Sequence, residues 1–538
     1  MKRRDFLKMA PVAAASTAMM INGLPIQSFA EHPLLHLLAK QTQANGRVMV
    51  FVQLNGGNDG LNTLIPLDQY SALSTARGNI LIPQNQVLPL AGFPNTGLHP
   101  AMNKVRDMYV DGMVNIVQSV SYPTPNFSHF RATDIWLTAS DSNQYLDTGW
   151  LGRYLDNEYP GFPMGYPNAS MPDPLAIQIG SSVSSVFSGN NVNMGMAISD
   201  INSFYNIVNN SVDPAPNTPA GHELTFLRYI SQQTQQYNAV LQTAANNASN
   251  LSNQYPSGNS LADQLKIVAR LIAGGLKTPL YIVSIGGFDT HSVQVDPTDH
   301  TIGAHATLLK KLSDAVYAFY DDLKLHNIDD RVATATFSEF GRKAQENGSL
   351  GTDHGEVAPV FAFGKPVKSG VSGVNVDLSE AVSSNNFQIQ SVQHDYRQTF
   401  ATIMQDFLGS NNTVVDAAFV GNINSESFTD LKIAELIKSE FLVPESCYDG
   451  SLNVPDETLA EWSVYPNPFK TDVNVQSENQ HLETSYELRN YLGQRILSGD
   501  LEFINGNAKV QTQNLQNGLY ILTLKNNIES SVHKLIKY

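Results

Sequence analysis

Three apolar runs of this sequence end in acidic residues and histidines set beside glycine. Arg47 to Leu54 runs into Asn55-Gly56-Gly57-Asn58-Asp59-Gly60, and Tyr281 to Ile285 into Gly286-Gly287-Phe288-Asp289-Thr290-His291. Val332 to Phe337 runs into Ser338-Glu339-Phe340-Gly341-Arg342, followed by Gly351-Thr352-Asp353-His354-Gly355. Carboxylate and imidazole suit divalent zinc, manganese or iron, and two such ions about 3.5–4 Å apart clamp the attacking and leaving oxygens of a displacement. Glycine lets the chain turn sharply and approach a ligand. Each piece also has a plain structural reading: Asp-Thr-His as a helix N-cap with a nearby histidine, Asp-His-Gly as a capped turn, Gly-Gly-Asn-Asp-Gly as a turn alone. Taken together they point to a metal centre, because buried charges need partners or metals. A nucleotide-binding loop fits poorly, since the sequence has neither GxGxxG spacing nor a Walker lysine there.

These residues need strands to deliver them. The runs above are apolar on both faces, as are Val114–Val120 and Pro359–Phe363, and helical patterns lie between them near 100–111, 130–139, 223–247, 261–275, 302–325 and 395–408. Buried strands alternating with helices predict an α/β fold with a mostly parallel sheet covered on both faces. In such sheets chemistry collects beyond the strand carboxyl ends. Residues 186–260, with the Pro-rich run Asp213 to Ala220, read as insertion or long-loop material around helices. From about residue 440 the pattern changes to linker and then to short alternating segments, Tyr486-Glu487-Leu488, Tyr520 to Leu524 and Val532–Ile536, which predict a small β-sandwich.

Composition narrows the partners. With 33 basic and 49 acidic residues the net charge is −16, which disfavours nucleic acid and anionic lipid surfaces. Only 15% of residues are charged, against a usual ~25%, so solubility rests on neutral polar groups, as suits a secreted surface. Cys447 is the only cysteine, which rules out an intramolecular disulfide and a thiolate cage. The start, Lys2-Arg3-Arg4-Asp5-Phe6-Leu7-Lys8, then an Ala/Met-rich stretch and Ser28-Phe29-Ala30, has the parts of a signal peptide and resembles a twin-arginine (Tat) signal. No later apolar run reaches the about 18–20 residues that span a bilayer, so no transmembrane span is expected in the mature protein. The expected organisation is a signal over 1–30, an α/β domain over 31–440, a linker over 441–461 and a C-terminal β-sandwich over 462–538.

Two resemblances extend this reading. Val464-Tyr465-Pro466-Asn467-Pro468-Phe469, Leu492-Gly493-Gln494, Asn517-Gly518-Leu519-Tyr520-Ile521 and the basic finish at Lys534 and Lys537 resemble the C-terminal sorting domain of type nine secretion substrates. That implies passage through the periplasm to the outer-membrane surface or beyond, with the Tat translocase and the type nine machinery as partners. Further, Gly56-Gly57-Asn58-Asp59-Gly60-Leu61-Asn62, Leu98-His99-Pro100-Ala101, Ser128-His129-Phe130, Gly152-Arg153-Tyr154, Gly287 to His291, Ser338 to Arg342, Gly351 to Gly355 and Asp395-Tyr396-Arg397 resemble the Tat-exported family called domain of unknown function 1501.

That family is thought to be related to the alkaline phosphatase and sulfatase superfamily, so the resemblance implies a three-layer α/β/α sandwich and a metal-dependent hydrolase of phosphate or sulfate esters. By the same resemblance, Asp59, Asp289, His291, Glu339, Asp353 and His354 are the expected metal ligands and Ser128 the expected nucleophile. Asn58, Arg131 and Arg153 are expected to hold the anionic group. The substrate would be an ester on an extracellular glycan or lipid. Ser128 also reads as a plain helix N-cap. The superfamily carries Asp-His-Gly where this chain has Glu339-Phe340-Gly341, and Phe340 cannot bind a metal; one site is altered unless Asp353 or His129 fills the gap. The alternative is a non-catalytic binding protein on the same scaffold. His99, His300, His305 and His394 read as structural or surface residues.

Overall fold

The computed structural model describes residues 46–163, 165–168, 171–190, 192–199, 237–423, 426–443, 462–477, 484–490, 495–504, 506–526 and 530–537, with a two-residue ladder pairing Met20–Ile21 and Leu24–Pro25. Apart from that ladder, the expected twin-arginine signal lies outside the described residues, as do the Pro-rich run Asp213 to Ala220, Cys447 and most of the expected linker. The chain divides into two compact units, Met1–Asp449 and Gly450–Tyr538.

The first unit is built on nine described strands: β1 (Val48–Asn55), β2 (Val114–Ser121), β3 (Ala176–Ile179), β4 (Met196–Ile198), β5 (Leu280–Gly286), β6 (Val332–Phe337), β9 (Ala358–Phe363), β10 (Gly370–Ser372) and β11 (His394–Asp395). Two further strands, β7 (Gly341–Glu346) and β8 (Thr352–Gly355), form a separate antiparallel hairpin, and Leu64–Pro66, Phe93–Leu98 and Leu88–Leu90 form a small antiparallel sheet. Order across the large sheet is β10-β2-β9-β6-β1-β5-β3-β4, with β11 also on β2. Neighbours are parallel except at β9, which runs antiparallel to both β6 and β2. The apolar run over Pro359–Phe363 is therefore a strand, but a reversed one. The chain between Phe337 and Ala358 is taken up by the β7–β8 hairpin and holds no crossover helix, so it returns beside β6 running the opposite way.

Alternation along β1 shows why the sheet is buried twice. Val48, Val50, Val52 and Leu54 pack with α2 (Asn103–Val110), α5 (Ser260–Ala273) and α6 (Ala304–Leu325). Met49 and Phe51 face α3 (His129–Thr138), α4 (Trp150–Glu158), α7 (Tyr396–Thr402) and α8 (Asn412–Ala418). Successive strand side chains point to opposite faces, so a continuous apolar run encodes a layer covered on both sides. The result is the expected three-layer α/β/α arrangement. In the second unit an antiparallel sheet of Trp462–Tyr465, Asp472–Ser477 and Asn507–Gln511 and another of Thr484–Asn490, Arg495–Leu501, Gly518–Lys525 and Ser530–Lys537 enclose Val473, Val475, Leu488, Leu522 and Leu535. This is the sandwich that its alternating pattern predicts.

A buried polar network sits where β1 ends. Asp59 is 0% exposed and accepts from Arg77 Nη1 with both carboxylate oxygens at 2.9 Å; Arg77 lies at the end of α1 (Tyr70–Arg77). His305, 1% exposed, lies 3.0 Å through Nε2 from Asn58 Oδ1, while its Nδ1 meets no partner. Burial pushes the His305 imidazole down to about 4, because a second proton would have no acceptor. A histidine depressed on folding stabilises fully above its ordinary pKa and loses that stability as pH falls. Between pH 6.5 and about 4 the wild type is expected to lose on the order of 3 kcal/mol more than His305→Gln does. Urea unfolding of both proteins at several pH values checks this; parallel stability profiles would refute it.

Candidate metal centre

Strands β5, β1 and β6 lie side by side and parallel, so their carboxyl-end loops leave one edge of the sheet together. Two glycines let the first loop approach the others. Gly56 has φ +122°, and a Cβ there would sit 2.3 Å from the Asp289 amide nitrogen; Gly57 has φ +79°, and its Cβ would sit 2.4 Å from the Phe340 ring. Both conformations and both distances exclude a side chain.

Asp289 is the centre of what these loops assemble. His129, Asp289 and His354 each offer one ligand atom, all within 4.8 Å of one another. Asp289 Oδ2 lies 3.4 Å from His129 Nε2, and Oδ1 lies 3.1 Å from His291 Nε2 and 3.4 Å from His354 Nε2. The other ring nitrogens are held from behind. His129 Nδ1 lies 2.8 Å from Glu339 Oε1, His354 Nδ1 2.8 Å from the Phe127 carbonyl and His291 Nδ1 3.3 Å from Asp353 Oδ1. These acceptors assign the proton of each neutral ring to Nδ1 and leave three Nε2 lone pairs around one carboxylate. His291 and His354 then meet Nε2 to Nε2 at 2.9 Å. Two lone pairs that close repel unless a proton or a cation lies between them. Imidazoles converging on a carboxylate, each with its far nitrogen anchored, is the donor set of a divalent metal. The residues present fit such an ion.

The surroundings set charge and rigidity. Partial burial works against the Asp289 carboxylate, but the hydrogen bond and charge of Arg342, 2.7 Å away, outweigh it and hold the carboxyl below its usual range. Burial likewise opposes the Asp353 carboxylate, and hydrogen bonds from Asn347 and Lys343 more than offset it. His354 is shifted down, chiefly by burial, a direction that favours the neutral imidazole a metal would need. The Phe340 ring lies 4.8 Å from the His129 ring and 4.3 Å from that of His354, forming a buried wall for both. Phe340 supplies no ligand, yet its position is that of a support.

Several expected site residues stand elsewhere. Asp59 is not in this group: Arg77 takes both its oxygens, Gln294 Nε2 donates to Oδ2 at 2.6 Å and the Leu61 amide to Oδ1 at 3.2 Å. Burial favours its neutral form, but Arg77 overrides that and keeps the carboxyl below the ordinary range. With its lone pairs occupied it is a structural anion. Glu339 stands behind His129, its Oε1 also accepting from the Gly56 amide at 2.8 Å. Asp353 similarly stands behind His291. None of the three expected anion-holding residues faces the group. Asn58 is buried against Thr63 and His305, Arg153 donates to the carbonyls of Thr138, Thr148 and Ala418, and Arg131 is bound by Asp134 and the carbonyls of Asp141 and Ser142. Ser128 is the exposed N-cap residue of α3, and its hydroxyl makes no capping hydrogen bond. His129 was expected only as a substitute ligand; its signal is a histidine opening a helix soon after a buried strand.

Because Glu339 fixes the ring of His129 without facing the centre, Glu339→Ala is expected to weaken metal affinity by roughly 10–100-fold while leaving the fold intact. Competition against a chelator of known affinity measures this, and an unchanged affinity would remove Glu339 from the site.

The model of a family described as protein of unknown function (DUF1501) matches residues 116–412, and that of the secretion system C-terminal sorting domain matches residues 463–538. The sorting domain marks the chain for secretion and attachment at the outer-membrane surface through the type nine machinery. Among the described residues no helix is long and apolar enough to cross a membrane. A search of the curated proteins finds no match. Among solved structures, a Bacteroides thetaiotaomicron protein from the metabolism of multiple glycosaminoglycans is similar at 11% identity, covering 85% of this chain and 90% of its own, with a TM-score of 0.33. A protein in the alkaline phosphatase superfamily from Vibrio parahaemolyticus is similar at 9% identity over 99% of this chain and 88% of its own, TM-score 0.32. Alkaline phosphatase from the Antarctic bacterium TAB5 is similar at 9% identity over 60% and 94%, TM-score 0.24.

Proposed function

Since the chain belongs to the DUF1501 family of proteins of unknown function, its activity has to be read from its own site, and we propose that it is an exported, metal-dependent hydrolase of phosphate or sulfate esters. The observation that carries this is the convergence of His129, His291 and His354 through Nε2 on Asp289, with each Nδ1 anchored. These four residues would hold the ion, with zinc, manganese or iron suiting the donors. A bound divalent ion there supplies positive charge for the non-bridging oxygens of the ester. Arg342 holds Asp289 in place, Glu339 and Asp353 orient their imidazoles, and Phe340 bars movement of two rings. Ser128, adjacent to His129 and free of a capping bond, is the proposed nucleophile: its Oγ bonds to phosphorus or sulfur as the bond to the substrate oxygen breaks, the alcohol leaves with the proton the serine gives up, and water then cleaves the phosphate or sulfate ester of the serine, releasing the inorganic anion and restoring the hydroxyl. Loading onto the Tat translocase before export is consistent with Arg3-Arg4 and belongs to the same proposal.

A second reading, a surface protein that binds through the metal without turnover, is favoured by one observation: Asp59, expected as a metal ligand, is committed to Arg77. Elemental analysis of the purified full chain and an ester panel decide between them. Stoichiometric transition metal with turnover that Ser128→Ala abolishes is the result expected for the hydrolase. Metal without turnover on any phosphate or sulfate ester would leave the binding protein, and absence of metal after supplementation would overturn both.

A further inference from the structure

We propose that the cleft beside Asp289 receives a sugar ring of an extracellular glycan, with Phe130 as its stacking platform; what happens to an ester on that sugar rests on the hydrolase reading, the binding itself does not. The cleft has a volume of about 460 Å³ and is lined by Asn55, Gly56, His129, Phe130, Thr133, Asp289 and Glu339. That size is within the range of about 300–1,000 Å³ that takes a ligand of one or a few rings. Phe130 is 91% exposed. A single exposed apolar residue is ordinary on a surface, but this one forms part of the wall of the cleft, one residue from His129. It also has company. Phe127, whose carbonyl holds His354, is 38% exposed, and Tyr145 is 79% exposed with the guanidinium of Arg131 4.0 Å from its ring centroid. Phe127 and Phe130, on either side of the first residue of α3, thus both carry aromatic rings into solvent, and of these Phe130 lines the cleft.

The chemistry of the lining selects the occupant. A pyranose presents a face of C–H groups, weakly positive, and an edge of hydroxyls. The face suits the negative face of an aromatic ring, and a phenyl with two side-chain torsions loses little entropy on stacking. The hydroxyls suit Asn55 and Thr133, which also line the cleft. An acyl chain would need several large apolar side chains along its length, and Phe130 is the one such side chain in this lining. Delivery to the outside of the cell puts the cleft where polysaccharides are met.

The test uses the metal-loaded full chain, wild type, Phe130→Ala and Phe130→Trp, titrated with sulfated galactan, its desulfated form, chondroitin sulfate and unsulfated chondroitin, with phosphatidylglycerol vesicles and solution mass alongside. Binding to at least one polysaccharide that falls roughly tenfold in Phe130→Ala and returns in Phe130→Trp, with melting temperature and metal content unchanged, is the expected result. Equal affinity in Phe130→Ala, binding to none of the polysaccharides, binding to vesicles alone, or a dimer that Phe130→Ala dissolves would each overturn the proposal. Because affinity is read without turnover, failure of the hydrolase reading would show in the ester panel and leave this result standing.

Discussion

Asp289→Ala is expected to strip the bound metal and to lower ester turnover by at least about 10²–10³-fold. Asp289 is the carboxylate that all three Nε2 atoms approach, so its removal leaves lone pairs facing one another without an anion to balance the ion. It also frees the guanidinium of Arg342, whose side chain is 0% exposed, to direct positive charge at the vacated position. Both effects act against a cation. His354→Ala should do the same by a different route, removing one ligand while sparing the Arg342 contact. Elemental analysis and chelator competition on the two variants, with circular dichroism to confirm folding, form the measurement. Full metal occupancy in both would sink the assignment of this cluster, whatever their turnover.

Arg77→Ala is expected to cost about 3–5 kcal/mol of stability, because it leaves a fully buried carboxylate at Asp59 without its cation. Arg77 also donates through Nε to the Ala344 carbonyl at 2.8 Å and through Nη2 to that of Lys343, so it ties the turn after β1 to strand β7. Lys343 in turn contacts Asp353 behind His291, which connects the loss to the site. Replacing both members, Arg77→Met with Asp59→Asn, should recover much of the loss, since no charge then remains buried. Urea unfolding of the single and double variants reads this directly. A single-variant loss under about 1 kcal/mol would mean that the pair is better solvated than its burial implies. Asp59→Asn by itself separates anchor from ligand: metal content should persist, and its loss would return Asp59 to the metal site.

Much of the scaffold was legible in the amino-acid sequence. The runs ending at Leu54, Ile285 and Phe337 became β1, β5 and β6, and the segments near 261–275 and 302–325 became α5 and α6. Burial on two faces writes itself as uninterrupted apolar residues, and burial on one face of a helix as a 3.6-residue period. Short β3 and β4 left no such mark, and Ala358–Phe363 carried no sign of its reversed direction. Apolar patterning reports burial and is silent on strand sense.

Site residues divide the same way. That Asp289, His291, Glu339 and His354 stand together beyond the sheet followed from their places at strand ends, because parallel neighbours open their loops on one edge. Which of them face the centre did not follow. Glu339 is drawn behind His129, 210 residues away in the chain, and Asp353 behind His291, 62 away. Arg131 and Arg153, expected to hold an anion, satisfy main-chain carbonyls instead. Asp59 shares with Asp289 a glycine-flanked strand end, and nothing local distinguishes them. The sequence by itself determined which chemical groups reach this edge, because backbone direction and glycine placement are local properties. Tertiary structure alone decided their roles, because a carboxylate's lone pairs go to whichever donor packing brings within hydrogen-bond reach: Arg77 for Asp59, and for Asp289 Arg342 together with three imidazoles.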